Sequence, residues 1–164
     1  MGNSTMIDER FSHLDEHGRA HMVNVSEKPV SLRVARASGL VRMQPETLEA
    51  ILSGNHSKGE VLSVARVAGI QAAKRTDHLI PLCHSLGLES VEVHFEAMPP
   101  DAITIKAEAR CTGKTGVEME ALVAVSVASL TIYDMCKAVD RRMLIESVKL
   151  DYKSGGRSGE FQRS

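Results

Sequence analysis

The chain has 164 residues, 43% of them hydrophobic and 25% charged, which describes one globular domain and excludes a disordered polymer. Twenty Lys+Arg against 21 Asp+Glu leave a net charge of −1, so no global basic field exists for nucleic acid or an anionic membrane. Three widely spaced cysteines, without a C-x-x-C, exclude a disulfide framework and a structural zinc site, and with no signal peptide they point to a reducing cytoplasm.

Residues 1–20 are polar and rich in His and acids, and are read as a flexible N-terminal arm. His13, His17 and His21 share helical spacing, but Gly18 interrupts it, so no metal site is assigned. Residues 21–43 read as extended chain with a bend at Ser38-Gly39. Pro45 opens a short helix that ends at Gly54. A longer helix spans about Val61 to Thr76, with Val61, Val64, Ala65, Ala68 and Ala72 on its apolar face. Strict alternation then predicts two strands, Val91–Ala97 and Ile103–Ala109, joined at Pro99-Pro100-Asp101. A second long helix runs from about Val117 to Val139. A last strand follows from Leu144 to Tyr152, with Leu144, Val148, Leu150 and Tyr152 facing inward. The order β-α-β-β-α-β predicts an α+β fold with helices on one face of an antiparallel sheet. Residues 21–160 form its single domain and 161–164 a tail.

The stretch Ala121–Tyr133 has 13 residues without a charge. A helix apolar all round needs cover on more than one side, from a second subunit or from the chain's own first long helix.

Three loops combine glycine with a cation: Gly54–Gly59 with Lys58, Gly113–Gly116 with Lys114, and Ser154–Gly159 with Arg157. Such loops let backbone N–H groups approach an anion, which points to a phosphate-bearing ligand. The second long helix carries Glu118 and Glu120 in its first turn and Asp134 and Lys137 in its last turns. A carboxylate beside an ammonium suits proton exchange with a substrate. The two ends lie about 21 Å apart at 1.5 Å per residue. Pairing that helix antiparallel with a copy of itself would bring the ends together, which predicts a site at a subunit interface. In Ile80-Pro81-Leu82-Cys83-His84, His84 suits hydrogen bonding or acid–base work, while a nucleophilic Cys83 is disfavoured.

The stretches His21-Met22-Val23, Lys58-Gly59-Glu60, Ala65 to Thr76, Leu79 to His84, Thr112 to Leu122, Tyr133 to Val139 and Lys153 to Gly159 closely resemble the cyclic pyranopterin monophosphate synthase family of molybdenum cofactor biosynthesis. The resemblance spans about residues 18–160. It implies a ferredoxin-like fold and a homohexamer built as a trimer of dimers. It also implies a phosphorus–oxygen lyase that converts 3′,8-cyclo-7,8-dihydroguanosine triphosphate into cyclic pyranopterin monophosphate and diphosphate. By motif, Asp134, Lys137 and Lys58 resemble the family's catalytic residues. Leu82, Cys83, His84, Met119 and Glu120 resemble substrate-contacting segments, with Glu118, Arg33 and Lys153 as further contacts. Two lysines and an arginine could stabilise the departing charge with no cofactor required, and a role for Mg²⁺ is left open. Asn24 and Ser85 depart from the family's usual Asp and Pro. A non-catalytic phosphate- or nucleotide-binding module is the alternative, since it would use the same cationic loops.

Overall fold

The computed structural model describes residues 12–54 and 60–164. Its elements are β1 (Ser31–Arg42), α1 (Pro45–Leu52), α2 (Val61–Ala73), α3 (Thr76–Leu79), β2 (Ser90–Met98), β3 (Ala102–Gly113), α4 (Glu118–Cys136), β4 (Leu144–Ser154) and β5 (Phe161–Gln162). The strands form one sheet in the order β2-β3-β1-β4-β5, antiparallel at every pair. This arrangement is consistent with the α+β expectation. The last residues, read from the sequence as a tail, contribute β5 and lengthen the sheet by one short strand.

Alternation decides the two faces of the sheet. Ala35, Ala37 and Val41 of β1 and Ile103, Ile105, Ala107 and Ala109 of β3 are buried beneath α2 and α4. The opposite face is wet and carries ion pairs such as Arg36–Glu108 and Lys106–Glu96. Strand β1 runs without the bend expected at Ser38-Gly39, although its pairing with β4 shifts register there.

The chain's own α2 covers one flank of α4. The contact is a seam of small residues. A Cβ on Gly69 would stand 2.9 Å from the Ala124 carbonyl oxygen and 3.3 Å from the Ala128 Cβ, so only glycine permits this approach. The seam turns α2 away from the face read from its sequence. Ala65, Gly69, Ala72 and Ala73 are buried, whereas Val64 is 46% exposed. A core assembled from Ala, Val and Ile at close helix spacing also accounts for an aromatic content of only 3%.

Strand β4 departs most from simple alternation. Leu144 is 59% exposed and Val148 39% exposed, so neither faces a closed core. Leu150 pairs with Ala37 but Tyr152 pairs with Arg36, which leaves Asp151 as an extra residue in the ladder. Beyond this bulge the facing inverts. Tyr152 turns to the outer face beneath the Arg36 guanidinium, 4.9 Å from the ring centroid. Lys153, opposite buried Ala35, turns to the helix side instead.

At the far end of α4, buried Asp140 accepts hydrogen bonds from the backbone N–H groups of Gln44 (2.8 Å) and Arg142 (3.0 Å). It thereby ties the turn after α4 to the start of α1. Near the N-terminus, residues 12–21 make a small hairpin around Gly18 (φ +73°), with a bridge between Leu14 and Ala20. His13, His17 and His21 therefore do not share a helix face.

Candidate active site

Two adjoining cavities open where the start of α4, the end of β4 and the segment before β1 meet. The first, about 250 Å³, is walled by Lys28, Arg33, Lys114 and Arg157 with the glycine turns beside them. The second, about 420 Å³, is walled by Leu82, Cys83, His84, Met119, Glu120 and Lys153. Lys28, Thr115, Gly116 and Glu118 line both.

Arg33 organises the basic cavity. It is 7% exposed, and its Nε and Nη2 donate to the carbonyl oxygens of Gly113 and Lys114, each at 3.2 Å. On its other side lie Gly155 (φ +97°) and Gly156 (φ +77°); a Cβ on Gly156 would overlap the guanidinium. Glycine is required there twice over, for the left-handed backbone and for the space. Arg33 thus clamps two of the three cationic loops together. It forms an ion pair with no carboxylate among the described residues. A buried cation whose described partners are carbonyls leaves the cavity with a preference for an anion. The third cationic loop, including Lys58, lies outside the described residues.

The second cavity has a different chemistry. Glu120 is 4% exposed, and its pKa is pushed up to about 7, first by burial and further by Glu118 and Asp77; its backbone hydrogen bond opposes the rise. It can therefore both release and accept a proton near neutrality. The Cys83 thiol is pushed upward by burial, with Glu120 and Asp77 adding to the shift, so it rests as a thiol and not as an attacking thiolate. The His84 Nε2 lies 2.8 Å from the Val23 carbonyl oxygen and donates to it, which leaves Nδ1 for other contacts. Lys153 Nζ stands 3.4 Å from a Glu118 oxygen, a contact that depends on the bulge at Asp151.

The segment before β1 closes one side. Lys114 Nζ donates to the Ser26 carbonyl oxygen at 2.8 Å. Asn24 Oδ1 accepts the Ser26 N–H at 2.9 Å, an Asx turn that shapes this segment. An aspartate could accept the same hydrogen bond, so the departure at Asn24 keeps the turn and changes only the charge. At the other departure, Ser85, the Val23 carbonyl holds the neighbouring His84 ring from outside its own loop.

The structure thus gathers Leu82, Cys83, His84, Glu118, Met119, Glu120 and Lys153 around one cavity and Arg33 around its neighbour. It does not bring Asp134 and Lys137 to either. They form a 2.7 Å ion pair at the exposed far end of α4, and the nearby carboxylate raises the Lys137 pKa. Lys28 and Thr115 were not singled out from the sequence. Lys28 sits in no glycine loop, and only its closeness to the His21-Met22-Val23 stretch hinted at it.

A family model described as the MoaC family matches residues 22–156. The chain belongs to that family. Within it, the chain is 60% identical over 161 residues to proteins named cyclic pyranopterin monophosphate synthase 1 from Mycobacterium bovis and from two strains of Mycobacterium tuberculosis. The matches cover 97% of this chain and 95% of each relative. MoaC family membership agrees with the resemblance carried by the glycine loops and by the segments around His84, Glu120 and Asp134.

Proposed function

We propose that this MoaC family member is a cyclic pyranopterin monophosphate synthase. It would convert 3′,8-cyclo-7,8-dihydroguanosine triphosphate into cyclic pyranopterin monophosphate and diphosphate, acting as a phosphorus–oxygen lyase in molybdenum cofactor biosynthesis. One observation carries this reading: a basic cavity built on a buried Arg33, paired with no carboxylate among the described residues, shares a wall with a cavity of titratable groups. The first suits a triphosphate and the second suits the base and sugar that are remodelled.

The division of labour follows from charge. Arg33, Lys28, Lys114 and Arg157 hold the phosphoryl oxygens. They stabilise the negative charge that gathers on the departing diphosphate as a substrate hydroxyl attacks the α-phosphorus and the bridging P–O bond breaks. Glu120, with its raised pKa, and His84 exchange protons while the purine ring opens and the pterin ring closes. Lys153 keeps Glu118 in place at the boundary between the cavities.

Asp134 and Lys137 enter from a second copy of the chain. Half-exposed Leu130 and Val67, at 56% and 55%, lie on α4 and α2 and offer apolar surface for an antiparallel partner. Such a dimer, repeated three times, gives the hexamer implied by the family. Lys58 supplies a further cation from its loop. We further assign a ferredoxin-like topology, a cytoplasmic location and no required cofactor.

Incubating the pure protein with the cyclised guanosine triphosphate, and following diphosphate and pterin, tests this function. One diphosphate per pterin is expected. In Asp134→Asn, turnover falls at least about a hundredfold while the nucleotide still binds. Unchanged nucleotide, bound but never converted by the wild type, would favour the non-catalytic binding module.

A further inference from the structure

Thr115 sits in the Gly113–Gly116 turn and lines both cavities. Its Oγ1 is closed off from solvent and has no hydrogen-bond partner among the described residues. A buried hydroxyl without a partner is unfavourable, and a valine of the same shape would avoid the loss. The turn itself does not need the hydroxyl, since Arg33 already holds the Gly113 and Lys114 carbonyls. Its present rotamer makes no hydrogen bond among the described residues that a rotation would break. A staggered change in χ1 exchanges the positions of hydroxyl and methyl.

We infer that Thr115 is a ligand-positioning residue whose hydroxyl binds the nucleotide at the junction of its two halves. This rests on the proposed function, because a nucleotide that fills both cavities must pass this wall. The groups that lie between a triphosphate and a base are the ribose and the α-phosphate. Thr115 donates to an oxygen there, and so holds in register the phosphorus at which the cyclic phosphate forms. The basic side chains grip charge wherever it lies along the phosphate chain. The hydroxyl adds the directional contact that fixes which phosphorus stands opposite the attacking group.

Three proteins test this: wild type, Thr115→Val and Thr115→Ser. Each is studied as the intact oligomer, with guanosine 5′-triphosphate as the calorimetric probe and thermal unfolding measured without ligand. In Thr115→Val, affinity for the probe falls about tenfold or more, and the ligand-free melting temperature holds or rises. Thr115→Ser recovers most of the affinity. A structural hydroxyl would instead lower the melting temperature when removed. Wild-type binding that Thr115→Val leaves unchanged would overturn this assignment alone. No binding of the probe by the wild type would overturn both the assignment and the proposed ligand.

Discussion

Replacing Glu120 with glutamine separates what this carboxyl does for the reaction from what it costs the fold. In the folded chain the group titrates at about 7; its ordinary value is 4.5. Between these values the folded state holds a proton that the unfolded state has released, so stability falls as pH rises through the interval. The loss is complete once the buried carboxylate is fully ionised, above the folded value. Converting the difference at 1.36 kcal/mol per pH unit gives about 3 kcal/mol. Glutamine imitates the protonated acid and carries no such cost. Thermal unfolding of the two proteins should therefore nearly coincide at pH 4.5. At pH 8.5 Glu120→Gln should melt higher, by roughly 6–12 °C for a chain of this size. Its turnover should fall, because the proton exchanged near neutrality is gone. A difference in melting temperature that stays constant across this pH range would mean instead that Glu120 is solvated and ordinary.

Arg33→Ala should weaken nucleotide binding by about ten- to a hundredfold, because the loops lose both their clamp and their buried cation; calorimetry reads this directly. Gly156→Ala should destabilise the fold by at least about 1 kcal/mol and weaken binding as well, since its Cβ strains the backbone and displaces Arg33; thermal unfolding and calorimetry check the two effects. Asn24→Asp should change turnover by less than about threefold, because the turn onto Ser26 needs only an acceptor oxygen.

Much of the fold is legible in the sequence, because alternation marks β2 and β3 and the uncharged run marks α4. The α4 termini even display their chemistry, since Asp134 and Lys137 at i, i+3 must share a face. What stays hidden is what depends on contact. The close approach at Gly69 rotates α2 away from its most hydrophobic reading and exposes Val64. The bulge at Asp151 sends Tyr152 outward and Lys153 inward, and no periodicity signals a single inserted residue. In the candidate site, each motif is readable alone, yet the shared wall between the cavities arises only when the turns after β3 and β4 meet over Arg33. Lys28 carries no sequence signal of its own, because its role comes from where its segment lies and not from a pattern around it.

The proposed site takes its cavities from one copy of the chain and Asp134 and Lys137 from another. Mixing Arg33→Ala with Asp134→Asn during assembly tests it most directly. With nucleotide well below the wild-type Kd, each variant alone is expected to be nearly inactive, but half of randomly formed dimers pair the two and carry one intact site, so activity should recover to about a quarter of wild type. Activity that stays at the level of the two separate parents would contradict a site shared between subunits.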